Sequence, residues 1–174
     1  LLDRLYYASG AFAALCIAAI FVLMLAQSFG REAGILIRGA EDIVAWLCAA
    51  SAFFALGHTF RHGELVRVGL WLDMLGARGR WIAELFSLAS TALFVAYMLW
   101  AIARFIHDSW QFKEVAQGLI PIPIWVPQLS FLLGVTIFLI AVIDDLTAVI
   151  KKQKPAYQLA EEARRAAGDF SETV

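Results

Sequence analysis

Charged and uncharged residues are segregated along this chain. Four windows contain no Asp, Glu, Lys or Arg: Leu5–Gly30 (26 residues), Ile43–Phe60 (18), Leu85–Ala103 (19) and Val115–Ile143 (29). All 14 basic and 15 acidic side chains lie outside them. A helix needs about 20 mostly apolar residues to cross the hydrocarbon core of a bilayer, so each window can cross once and none can cross twice. The strict alternation that marks a membrane β-strand is missing. At that depth no water satisfies backbone N–H and C=O groups, which leaves the helix. The pattern predicts an all-α integral membrane protein. Its four transmembrane helices fall at about 7–29, 41–61, 81–106 and 127–145, in one domain over 1–150, followed by a polar cytoplasmic tail over 151–174.

Composition sharpens this. Hydrophobic residues make up 61% of the 174 and charged residues 17%, against about 45–50% and about 25% in soluble domains. A soluble enzyme of this make-up would leave too much apolar surface in water. The formal net charge is −1, so no basic field marks a nucleic-acid binder. The first window is too long for the h-region of a signal peptide, although Arg4 and Ala26-Gln27-Ser28 loosely resemble the flanks of one, so an uncleaved first span is expected.

Lys and Arg set the orientation. The N-terminus, the second loop and the tail together carry ten, and the first and third loops carry four. Both termini are therefore expected in the cytoplasm. Trp46, Trp100, Trp110 and Trp125 fall toward the outer ends of spans, and Trp71 and Trp81 toward the inner face, matching the preference of tryptophan for headgroup level.

Each span has its own character. In the first, Ala14, Ala18 and their small neighbours can admit another helix closely. The second starts with Glu41-Asp42 and ends at Arg61, acids and base both suiting the helix dipole. Its Ala45, Ala49, Ser51, Ala52 and Ala55 make the best candidate surface in the chain for a helix–helix seam. Leu65, Val68, Leu72 and Leu75 recur at helical spacing and predict a short cytoplasmic helix in the headgroup plane. Glu84 lies one turn inside the third helix, where the dipole favours an acid. Pro121, Pro123 and Pro127 precede the fourth helix. Proline suits a first turn and not an interior, so the helix is expected to start near Pro127 after an extended segment, Gly118–Val126. Asp144 and Asp145 oppose the dipole at a C-terminus. Either the helix continues toward Lys151 and Lys152, or a cation on a partner subunit pairs with them.

Chemistry is sparse. Cys16 and Cys48 sit inside spans and read as small apolar fillers rather than redox thiols. His58 lies near the inner end of the second helix and His107 at the outer end of the third, too far apart to be axial ligands of one haem. His58, His62 and Glu64 lack the spacing of a known metal motif. No ionisable residue lies at the centre of a span, where a small antiporter would need one. Neither catalytic residues, a cofactor nor a metal is expected. Four spans without a polar core point to a protein that serves a larger partner.

Two stretches then carry a resemblance. Arg61-His62-Gly63-Glu64-Leu65-Val66-Arg67-Val68 is similar to an R-x-G-x-H-[IV]-x-V helix-two exit. Ile120-Pro121-Ile122-Pro123-Ile124-Trp125-Val126-Pro127, with Gly134 beyond it, is similar to the matching helix-four entry. With the acidic start Glu41-Asp42, the chain over about 1–150 resembles the small membrane subunit, DctQ-type, of tripartite ATP-independent periplasmic (TRAP) transporters. Leu65 stands where that motif has histidine, so any role specific to that histidine is absent.

The resemblance implies an accessory scaffold subunit in a bacterial inner membrane. It would brace a large, elevator-type TRAP membrane subunit that carries organic acids with sodium, while a periplasmic substrate-binding protein delivers substrate. Partner-interface candidates are Glu41, Asp42, Ala45, Ala49, Ala52, Arg61, Gly63, Trp125 and Pro127, with membrane lipid around them and no nucleic acid. Three other readings stay open: a stand-alone small transporter, a haem-carrying electron-transfer subunit, and the small subunit of a tripartite tricarboxylate transporter.

Overall fold

The computed structural model describes residues 2–35, 37–62, 76–151, 153 and 155. The expected interfacial helix over 65–75, Gly63 and most of the tail lie outside them. Among the described residues there are four helices: α1 Leu2–Glu32, α2 Ala40–Arg61, α3 Ala77–Gln111 and α4 Trp125–Ile150. Each is long and apolar enough to cross a membrane. The 35 residues of α3 make a rod about 52 Å long, well beyond a hydrocarbon core of about 30 Å, so α3 must tilt or project into the interface.

Helix ends are set by local chemistry. α1 stops in a Schellman motif, with Gly34 at φ +76° and Ile35 N–H donating to the Gly30 carbonyl. α3 stops the same way, except that the left-handed position is held by Lys113 at φ 52°. There Lys113 N–H donates to Trp110 O and Glu114 N–H to Ser109 O. Glycine is the usual residue at this position because a Cβ is crowded there. α4 begins at Trp125, two residues before the proline expected to start it, which places Pro127 third in the helix. That is tolerable because first-turn N–H groups have no intrahelical acceptor to lose. Before it, Val115 and Pro123 form an isolated antiparallel bridge, so the connection folds back on itself rather than running extended throughout.

α1 packs on α2, α2 on α4, and α4 on α3, while α1 and α4 barely meet. Among the described residues the helices form an open row, α1–α2–α4–α3, and not a closed bundle. Small residues bring the backbones together. A Cβ on Gly134 of α4 would lie 2.7 Å from the Phe53 backbone, and one on Gly57 of α2 would lie 2.9 Å from Ile137 Cγ2. Without a hydrophobic force between helices in lipid, such close approach supplies the packing that holds α2 on α4.

The α1–α2 seam uses Tyr6, Ser9, Gly10, Ala13 and Cys16. Four of these are buried, and a Cβ on Gly10 would press within 2.8 Å of the His58 ring. Ala14 and Ala18, the residues expected to admit a neighbour, face outward. The Ser9 hydroxyl donates to the Phe54 carbonyl, and His58 Nδ1 lies 3.3 Å from the Tyr6 carbonyl. A carbonyl only accepts, so this contact places the proton on Nδ1. At the other side of the row, Trp81 Nε1 donates to Val149 O at 3.0 Å, fastening α3 to α4. Tyr6, Phe60, Leu88, Ala141, Val142 and Val149 form the core cluster.

Candidate functional site

Polar residues concentrate at the two ends of the row. At the end where α1 starts and α4 finishes, Arg61 closes α2 and faces three carboxylates. Its NH1 is 2.5 Å from Asp144 Oδ2 and 3.9 Å from Asp145 Oδ1, and its NH2 is 3.1 Å from Asp3 Oδ1. The guanidinium also stands 5.4 Å from the centroid of the Tyr6 ring. One cation therefore joins the first turn of α1, the last turn of α2 and the late turns of α4.

The arrangement answers the dipole problem of Asp144 and Asp145. α4 does continue, to Ile150, which moves both acids off its last turn. Their nearby cation also comes from the same chain, 83 residues earlier for the Asp144 pair. The three legs differ in environment. The Asp145 side chain is 1% exposed, Asp144 32% and Asp3 83%. A charge as buried as Asp145 needs compensation nearby, whereas Asp3 is bathed in solvent or headgroups. Arg61, a candidate for polar contacts with neighbours, makes its described contacts within the chain.

Two histidines lie beside this node. His62 Nδ1 is 2.9 Å from His58 O, and the two rings stack at 4.1 Å. Glu84, on α3, accepts from Arg80 Nε at 3.1 Å, one turn away. Among the described residues no group of three or more His, Cys, Asp or Glu side chains is arranged to hold a metal ion.

At the opposite end, the loop before α4 docks on the start of α2. Asp42 Oδ2 accepts from Leu119 N–H at 2.9 Å. Gly118 has no Cβ because the Asp42 carboxylate occupies that space, and Gly39, at φ +80°, lies under the Ile120 side chain. Close by, Ser109 Oγ donates to Glu114 Oε2 at 2.9 Å, and Gln128 Nε2 reaches Ser109 at 3.4 Å. Nothing in the sequence pattern singled out Ser109, Glu114 or Gln128. Their only signal is that Gln128 is the one amide side chain of α4.

The remaining interface candidates separate by exposure. Glu41, Ala45 and Ala52 are exposed and share an outward strip of α2 with Cys48. Ala49, Asp42, Trp125 and Pro127 are half-buried. Ser51, placed on the same expected surface, is buried and donates back to Cys48 O at 2.8 Å. Between the two ends, the buried polar side chains among the described residues are Ser9 and Ser51. Both are occupied by backbone carbonyls. They do not make a polar route across the row.

One family model matches, over residues 20–152, and its description is tripartite ATP-independent periplasmic transporters, DctQ component. That family is a transporter component and not an enzyme family. No curated protein and no solved structure matches the chain.

Proposed function

This chain belongs to the DctQ component family of tripartite ATP-independent periplasmic transporters, and on that premise we propose that it is a membrane brace for a larger transport subunit. In this reading it lies in the bacterial inner membrane with both termini in the cytoplasm. Its partner carries organic acids with sodium, a periplasmic binding protein supplies the substrate, and the present chain holds the immobile part of that partner at fixed depth and tilt.

The open row of helices carries this reading. Only 11 to 28% of the most apolar stretch of each helix is buried within the chain. A protein that moved solute by itself would enclose a polar route, and the helices here have two broad apolar faces instead. Such a slab suits lipid on one face and protein on the other. The exposed strip Glu41, Ala45, Cys48 and Ala52 is the place for the partner. Small side chains let a second helix approach closely, and an acid at one end supplies register.

Co-expression with the large membrane subunit of the same transporter tests the reading. Ala45→Leu with Ala52→Leu should abolish co-purification and leave the isolated chain folded. Ala14→Leu with Ala18→Leu, on the outward face of α1, should be tolerated. If the α2 pair co-purified as well as wild type, the strip would not be the contact. If neither the wild type nor any variant bound a large subunit, the bracing role would fall.

A further inference from the structure

We propose that the hollow between the end of α3 and the start of α4 is a phospholipid headgroup site, with Lys113 and two tryptophans holding the phosphate. The inference is independent of the bracing role. The hollow has a volume of about 550 Å³, and its lining includes Trp110, Gln111, Lys113, Glu114, Pro123 and Trp125. That is within the usual range of small-molecule sites.

Its polar groups are mismatched in one direction. Among the described residues, the Lys113 ammonium, the Gln111 amide and the indole N–H groups of Trp110 and Trp125 have no hydrogen-bond or ion-pair partner. Glu114, the only carboxylate at the hollow, is engaged by Ser109 Oγ at 2.9 Å. A set of free donors around one cation fits an anionic acceptor with several oxygens.

The backbone adds a second observation. Lys113 holds φ 52° at a position where glycine is the low-strain residue,. A left-handed non-glycine residue is strained, and its side chain is then worth explaining by function. Here the left-handed turn brings Lys113 into the lining of the hollow.

Depth selects the occupant. The hollow lies where two spans end, flanked by Trp110 at 64% and Phe112 at 73% exposure. Indole rings at a span end mark the headgroup layer. A ligand with phosphate at that depth, beside Val115, Pro123 and exposed aromatic rings, is a membrane phospholipid. A free phosphate would use the donors and leave the apolar walls uncovered.

Native mass spectrometry of the full chain, delipidated in mild detergent, tests this with two probes: dioleoyl phosphatidylethanolamine and dioleoylglycerol, which has the same chains and no phosphate. One phospholipid should bind per chain, about tenfold more tightly than the diacylglycerol, the size expected for a charge-assisted contact. Lys113→Gly should lower phospholipid affinity by about tenfold while the unfolding temperature stays level or rises, because the backbone is relieved. Lys113→Arg should retain binding. Equal affinity for the two lipids, unchanged binding in Lys113→Gly, or displacement of the lipid by millimolar inorganic phosphate would each overturn the assignment.

Discussion

Replacing Arg61 by methionine removes the charge and keeps much of the side-chain volume. The cost follows from the three carboxylates it faces. Asp3 is 83% exposed, and an ion pair in that setting contributes about 0–1 kcal/mol. Asp145 is 1% exposed, and removing the cation near a buried acid costs about 3–5 kcal/mol when the acid stays ionised. Asp144 lies between them at 32% exposure. The 3.9 Å separation to Asp145 and the partial exposure of Asp144 reduce the total, so a loss of about 2–3 kcal/mol is expected. Equilibrium unfolding in mixed micelles of mild detergent and SDS reads this directly. Asp145→Asn removes the charge that Arg61 would otherwise leave behind. The double variant, Arg61→Met with Asp145→Asn, should therefore recover at least half of the loss, a coupling of about 1–3 kcal/mol. Asp3→Asn should cost under about 1 kcal/mol. A wild-type midpoint for Arg61→Met, or strict additivity of the two substitutions, would refute the proposed ranking of the three legs.

Further expectations follow from the seams and the loop. Gly134→Ala should destabilise by about 1–3 kcal/mol, more than Gly57→Ala, since the first Cβ meets Phe53 backbone and the second meets the branch methyl of Ile137, with the Ile137 backbone farther off; unfolding midpoints in that order check it. Asp42→Ala should free the Leu119 N–H and raise hydrogen exchange over residues 117–121, with about 1 kcal/mol lost. In detergent, Cys48 should react with a small maleimide in the folded chain and Cys16 only after unfolding, because the first is exposed and the second buried. Protection of Cys48 in the assembled complex would place the partner on its strip of α2.

The four spans were legible because exclusion of charge from hydrocarbon is a strong constraint on every residue in a window. Which face of each helix packs was not. In a membrane the lipid-facing and protein-facing sides are equally apolar, so polarity does not distinguish Ala14 and Ala18, which face outward, from Ala13 and Cys16, which are buried. The better guide is the glycine pair Gly10 and Gly134, where removing a Cβ admits a specific neighbour. The pairing of Arg61 with Asp144 was also hidden. Each was visible as a helix-end charge, but their meeting depends on α2 lying against α4, which no local pattern encodes. The start of α4 differed by two residues because Trp125 and Val126 can occupy a first turn ahead of Pro127 as readily as an extended segment.

Purification of this chain from native membranes in mild detergent, with the stoichiometry of co-purifying proteins determined by mass spectrometry, probes the bracing role most directly. A polytopic membrane protein of many helices, recovered at one copy per chain and capable of sodium-driven uptake only when both are reconstituted together and the periplasmic binding protein is supplied, is the predicted result. Recovery of this chain alone, with sodium-driven uptake in liposomes containing nothing else, would contradict it.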